Sequence, residues 1–188
     1  MKKFPAVLAM ILALFPMLGA LSETAPQTKE GTIYLEGIKE TVTLTLFESE
    51  LGYRLWYDAA LLAPAPEDEG GDTFVPASPD AVQGVSLGVR YSSRQDYTLD
   101  NAGPDTVKSL TESGYAVTAI DTSELFPACR SLGFHAAKGE SILDTYILEA
   151  GEGQYYITAS YPLAAAEGFG GRLHHTVKTF EILYQQDE

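Results

Sequence analysis

The sequence predicts an α+β domain in which a mostly antiparallel sheet is sandwiched with two helices. Three observations carry that reading. Strand-like runs follow one another without a helix between each pair, and an all-parallel sheet forbids this because parallel neighbours need a long crossover. Near the C-terminus, Tyr155, Ile157, Ala159 and Tyr161 alternate with Tyr156, Thr158 and Ser160 and lead through Pro162 into a helical stretch. There Ala166, Phe169, Leu173, Val177 and Phe180 recur at steps of three or four, one apolar stripe of a 3.6-residue helix that needs a sheet to cover it.

The chain opens on Met1-Lys2-Lys3, a short positive region, followed by an apolar, uncharged run from Phe4 to Ala20 and by small residues at Gly19, Ala20 and Ser22. This is the layout of a secretory signal peptide spanning 1–22, with cleavage after Ala20 or Ser22. An uncleaved anchor is the competing reading, since about 17 apolar residues nearly span a bilayer, but Pro5, Pro16 and the small-residue exit favour export and no stable membrane insertion after cleavage. No cysteine follows the run for lipid attachment. Residues 23–31 are polar, hold Pro26 and show no period, so they read as a flexible linker. A single domain is expected over 32–183, with 184–188 as a C-terminal tail.

Thr32 to Leu35 and Thr41 to Phe47 are β-prone runs separated by five residues, a hairpin in which Val42, Leu44 and Leu46 share one side and Thr43 and Thr45 the other. Tyr53 to Tyr57 is a short strand. Asp58 to Leu62 suits one helical turn with Asp58 as N-cap. Ala63 to Asp72 then gathers proline, glycine and acid into a surface loop. Its four carboxylates within Glu67 to Asp72 lack the alternate spacing of a twelve-residue calcium loop and read as solvated charge.

Gln83 to Tyr91 predicts a strand with Val85, Leu87, Val89 and Tyr91 inward. A helix is expected from Pro104 to Ser113, with Pro104 at its first position, Val107 and Leu110 on its stripe and Gly114 as its stop. Strands follow at Tyr115 to Asp121, around Leu132 to Ala137, and at Ile142 to Glu149. Gly151-Glu152-Gly153 then turns tightly into Tyr155 to Tyr161, pairing the last two as an antiparallel hairpin. Gly168, Gly170 and Gly171 weaken the closing helix by up to about 1 kcal/mol each relative to alanine. That helix is therefore held by tertiary contacts or begins nearer Arg172 than Leu163.

The composition excludes some functions. With 12 basic and 26 acidic residues the chain carries a net charge of −14, and loss of a leader holding Lys2 and Lys3 takes it to about −16. Nucleic acid and anionic polymers are repelled by such a surface, while solubility or a cationic partner accounts for it. The one cysteine, Cys129, leaves no internal disulfide, so packing must stabilise the domain.

A chain with Leu51-Gly52-Tyr53-Arg54-Leu55-Trp56-Tyr57-Asp58, a mid-chain helix, a meander and a Tyr161-Pro162 junction leading to Thr179-Phe180 resembles the PsbP-like group of small domains. It is similar, too, to uncharacterised secreted proteins of Gram-positive bacteria that end in the same way. The likeness runs from about Glu50 to Ile182. It implies an α-β-α architecture and a role through binding a protein or small ligand rather than catalysis, and it brings no catalytic set onto numbered positions.

Two site readings follow from the residues themselves. Cys129 with His135 as base and Asp121 or Glu140 behind it supplies the residue types of a nucleophilic triad; a small buried apolar side chain beside Phe126 and Leu132 is the plainer account of Cys129. His174 and His175 stand about 100° apart on the closing helix, poorly placed to share a metal, and no metal or cofactor site is expected. A hydroxyl-rich sheet face is the second reading. Thr43, Thr45, Ser86, Arg90, Thr118, Asp144, Tyr146, Tyr156, Thr158 and Ser160 gather opposite the apolar sides of the strands, with Trp56 as a stacking plane. A sugar or peptide would be bound chiefly by Trp56, Arg90, Tyr146, Tyr156 and Thr158. The sequence thus predicts an exported, non-enzymatic binding domain for a protein or envelope component. A cysteine-dependent enzyme or a glycan or peptide binder is the alternative.

Overall fold

A computed structural model describes residues 25–35, 37–65, 70–93 and 97–183. The expected signal peptide, the C-terminal tail and the centre of the acidic loop at 66–69 lie outside these. Among the described residues eleven strands and two α-helices build the domain: β1 (Thr28–Leu35), β2 (Ile38–Ser49), β3 (Tyr53–Asp58), β4 (Leu62–Pro64), β5 (Gly71–Pro76), β6 (Ser86–Ser92), α1 (Leu99–Glu112), β7 (Ala116–Ile120), β8 (Ser131–Lys138), β9 (Ser141–Ala150), β10 (Gly153–Pro162), α2 (Gly171–Lys178) and β11 (Glu181–Ile182). All pairings are antiparallel. They form two sheets, ordered β1-β2-β3-β11 and β4-β5-β6-β10-β9-β8-β7.

The large sheet has an inner and an outer face, set by the two-residue period of its strands. On the inner side Leu87, Val89, Tyr155, Ile157, Ala159, Tyr161, Ile142, Tyr146 and Leu148 are buried against Tyr53, Leu55 and Tyr57 of β3 and Leu173 and Val177 of α2. The aromatic rings interlock: Tyr53 stacks on Phe180 at 4.8 Å between centroids and meets Tyr155 edge-on at 5.8 Å. Edge and offset contacts of this kind add to the area that the rings bury. On the outer side α1 covers β8 and β9, where Leu99 and Ala102 pack on Phe134 and Ile147. A helix therefore lies on each side of the large sheet, the α-β-α layering expected, although the strands divide into two sheets rather than one.

Several boundaries differ from the sequence reading, each for a local reason. β1 begins at Thr28, inside the expected linker, because Thr28 to Gly31 pair with Thr45 to Val42 of the long β2. Asp58 does not start a helix; its Oδ1 accepts from the Ala60 amide in a tight turn that delivers β4. The acidic loop is flanked by paired strands, and Asp72 is not a solvated charge: its Oδ2 accepts from the Ser49 hydroxyl at 2.5 Å and from the Tyr53 hydroxyl at 2.6 Å.

Helix α1 begins at Leu99, so Pro104 sits inside it rather than at its start. Its end is as expected: Gly114 takes φ +87° and donates to Thr111 O while Tyr115 donates to Leu110 O, the two bonds of a Schellman stop. The closing stretch runs as a 3₁₀ turn Leu163–Ala165, a π-helical turn Ala166–Gly170 and then α2, and it ends in β11 rather than in more helix. The three glycines are why regular helix waits until Gly171. A Cβ on Gly170 would come within 2.9 Å of the Tyr161 ring, and one on Gly171 within 2.7 Å of Leu35.

Candidate functional site

The outer face of the large sheet is covered over β8 and β9 and open over β5, β6 and β10. Register places Arg90 beside Tyr156, Gly88 beside Thr158, Ser86 beside Ser160, and Thr73 beside Gly88, so all of these point outward together. Arg90 is exposed, while Thr73, Gly88, Thr158 and Ser160 are half-buried, in contrast to Leu87 and Val89 beneath them. A Cβ built on Gly88 meets nothing within 4 Å, so the middle of this face is open to solvent. Arg90 has no ion-pair partner among the described residues. Tyr156 borders the α1 cluster, and its hydroxyl donates to Gln154 Oε1 at 2.9 Å, which fixes the ring at the rim of the open area. The result is a shallow platform with hydroxyl donors and acceptors, one guanidinium and one phenol edge.

The inner side holds a second polar group, and it is closed on itself. Asp144 accepts from the Tyr161 hydroxyl at 2.6 Å through Oδ2 and pairs with His135 Nδ1 at 2.6 Å through Oδ1. The Tyr146 hydroxyl lies 3.4 Å from His174 Nδ1. Burial, with the nearby Asp144 carboxylate, holds the Tyr146 and Tyr161 phenols well above their ordinary range. Burial, reinforced by Lys178, pushes the His174 imidazole down. A cleft of about 460 Å³ beside this group is lined by Ile120, Asp121, Glu124, Leu125, His174 and Lys178.

Of the five expected ligand residues, the structure brings three together: Arg90, Tyr156 and Thr158. Tyr146 is a correction. It lies on the inner face opposite Ile157 and is 1% exposed, and Asp144 and Thr118 fall on that same inner side. The alternation in β9 misleads because the strand is covered on both faces: Ile142, Tyr146 and Leu148 face inward while Ile147 faces α1. Trp56 is a second correction. It belongs to the small sheet, where Lys29 Nζ sits 4.0 Å over its ring, so it offers no plane to this site. Thr43 and Thr45 also lie in the small sheet. Thr73 and Gly88 are the members the sequence did not single out; a glycine amid an alternating strand was the available signal.

Cys129 and His135 do not meet. His135 is engaged with Asp144, whereas Cys129 precedes β8, whose stretch from Ser131 to His135 alone spans about 13 Å at strand rise. The thiol packs against the inner core in an apolar cleft of about 260 Å³ with Phe126, Leu148, Phe180 and Ile182. Burial, and secondarily Glu149, raises its pKa, the reverse of what a nucleophile needs. Among the described residues no cluster of three or more His, Cys, Asp or Glu side chains is placed to hold a metal ion, and no helix is long and apolar enough to cross a membrane.

The strands, helices and platform define an α+β domain with antiparallel sheets. No protein-family model matches the chain, and no curated protein matches it. Solved structures do. A crystal structure of a protein from Bacteroides thetaiotaomicron is similar with a TM-score of 0.46 at 12% identity, covering 76% of this chain and 49% of that one, so the chain spans about half the length of that neighbour. The solution structure of the cyanobacterial PsbP (CyanoP) from Synechocystis sp. is similar with a TM-score of 0.47 at 14% identity, covering 74% of this chain and 92% of that one. Both are distant likenesses in chain path, and neither carries weight for function.

Proposed function

We propose that this chain is an exported, non-enzymatic binding domain for an envelope component, and that it docks a glycan on the open half of its outer sheet face. The observation that carries the reading is the platform around Gly88: Arg90, Thr73, Thr158 and Ser160 point outward around a glycine with open space above it, the Ser160 hydroxyl donating to Gly84 O at one edge. Sugars present hydroxyls in both donor and acceptor roles, and hydroxyl and guanidinium groups on a flat backbone match that chemistry. A neutral polymer also avoids the repulsion that a net charge of −14 imposes on anionic ones. The leader-like N-terminus supports export. Without a paired Cys129 and His135, the cysteine-enzyme alternative loses its geometry.

The test is retention of the chain from Glu23 onward on purified envelope glycan, wild type against the double substitution Arg90→Ala, Thr158→Val. Removing one charge-assisted and one neutral hydrogen bond should weaken binding on the order of tenfold or more while leaving the circular dichroism unchanged. Equal retention of both proteins, or retention of neither, overturns the reading. Binding of peptides in place of glycans at the same residues would redirect it to a protein partner.

A further inference from the structure

Acid and base close on one another at several places in this fold. Arg54 meets Glu181 at 2.8 Å, Arg172 meets Glu40 at 2.7 Å and Arg130 meets Glu149 at 3.0 Å. The cleft beside His174 is different. Its lining of Ile120, Asp121, Glu124, Leu125, His174 and Lys178 brings two carboxylates and an ammonium into one space of about 460 Å³, yet among the described residues none of the three makes an ion pair.

The two signs stand on separate walls, and each wall is held from behind. The acidic wall is the turn that follows β7. There Leu125 and Phe126 both donate their amides to Thr122 O, the hydroxyl of the buried Thr122 donates to Ser131 O, and Asp121 Oδ1 accepts from the Ser123 amide at 2.9 Å. The basic wall is α2, pinned by the buried Leu173 and Val177, with His174 and Lys178 one turn apart on the cleft side. Asp144, a further carboxylate near His174, is engaged by Tyr161 and His135. Burial, with Lys178 beside it, keeps the His174 imidazole uncharged at neutral pH. The free charges of the cleft are therefore two negative and one positive, alongside the apolar side chains of Ile120 and Leu125.

We propose that this cleft binds a small zwitterion of the amino-acid class, its ammonium against Asp121 and Glu124 and its carboxylate against Lys178. A simple anion would meet the two acids, and a simple cation would leave Lys178 facing it. A molecule that carries both signs satisfies both walls at once. The space lies within the roughly 300–1,000 Å³ of small-molecule sites. Two carboxylates against one ammonium favour a ligand with a second amino group, so lysine should bind more tightly than glutamate. The site is separate from the glycan platform: Ile120 pairs with Gly133, which pairs with Tyr146 on the inner side, whereas Arg90 and Thr158 point outward.

The test is titration of the chain from Glu23 onward with L-lysine, L-glutamate and lysine methyl ester, followed by calorimetry and by amide shifts, at physiological salt so that the chain's overall negative charge is screened. Lysine should bind more tightly than glutamate. The ester, which lacks the carboxylate, should bind on the order of tenfold more weakly than lysine. Lys178→Gln should weaken lysine on the order of tenfold and should not weaken the ester, because that pair has already lost one partner. Asp121→Asn keeps an acceptor for the Ser123 amide and should weaken both. The chain with Arg90→Ala and Thr158→Val should bind lysine as the wild type does, whatever its behaviour on glycan. Binding of none of the three compounds overturns the proposal, as does an ester held as tightly as lysine or a Lys178→Gln chain that binds lysine unchanged. Loss of lysine binding in the platform variant would place the ligand on the outer face and overturn it too.

Discussion

Ile157 and Thr158 are neighbours on β10, yet they face opposite worlds. Ile157 is 1% exposed, pressed between Val89 and Tyr146 on the inner side, while Thr158 stands half-open beside Gly88 on the outer. Both sides of the sheet carry hydrogen-bonding groups. On the inner side Asp144, Tyr161 and His135 face one another and satisfy one another; on the outer side Arg90 faces no charge among the described residues. A polar group matched within the fold holds the fold, and one left facing water is available to a ligand.

The largest expected effect breaks the comparison at that dipeptide. Ile157→Ala removes three buried carbons from a site with no room to collapse and should cost about 2–5 kcal/mol in chemical denaturation. Thr158→Ala, one residue along, should change stability by about 0.5 kcal/mol or less. Comparable losses for both would show that the outer face is packed against something, and the platform would cease to be a surface.

Asp144 tests the same contrast with polar groups alone. Asp144→Ala strands the Tyr161 hydroxyl, in a residue 8% exposed, and the ring of His135, for an expected loss of about 1–3 kcal/mol. Asp144→Asn keeps an acceptor and should recover part of it. Arg90→Ala on the outer face should leave the denaturation midpoint where it is. A neutral Asp144→Ala would mean that the inner cluster is not structural, and the cleft beside His174 would become the better candidate site.

Much of the fold was legible because the alternation was clean. β6 and β10 each show one side of apolar and aromatic residues, so Leu87, Val89, Ile157 and Ala159 read as inward in the sequence and Arg90, Tyr156 and Thr158 as outward, as they are in the structure. β9 has no polar side to read. Both its faces are covered, so the alternation does not say that Asp144 and Tyr146 face inward, and the inner cluster is not visible in the sequence. Asp72 was hidden for another reason: its partners, Ser49 and Tyr53, are 23 and 19 residues away, and only the pairing of β5 onto β6 brings the acid to them. Trp56 looked like a platform residue because sequence gives no sign that the hairpin of β1 and β2 builds its own sheet and sets Lys29 over the ring. Local period was visible in the sequence; long-range partnership was not.

The smallest effect is in pH, and it again separates buried groups from open ones. Four inner tyrosines, Tyr53, Tyr146, Tyr155 and Tyr161, have phenols raised by burial first, Tyr155 to about 12. Their folded pKa values exceed the unfolded value near 10, so their contribution is complete below that pH and is lost as pH climbs above it, where only the unfolded chain ionises. The tyrosinate absorbance of these four should therefore appear as a cooperative step together with unfolding, apart from that of exposed tyrosines such as Tyr34. On the acid side His174 and His175 are both depressed, by burial first and then by Lys178; for His175 Lys29 adds to this across the β1 contact, and its Nε2 is buried without a partner. The unfolded chain takes up these protons first, near pH 6.5, so stability should fall as pH drops below about 7 and level off once the folded histidines also protonate. Lys29→Gln removes one of the charges holding His175 down and should shrink that fall. An acid limb of the same depth in the variant would mean that the histidine beneath β1 does not set it.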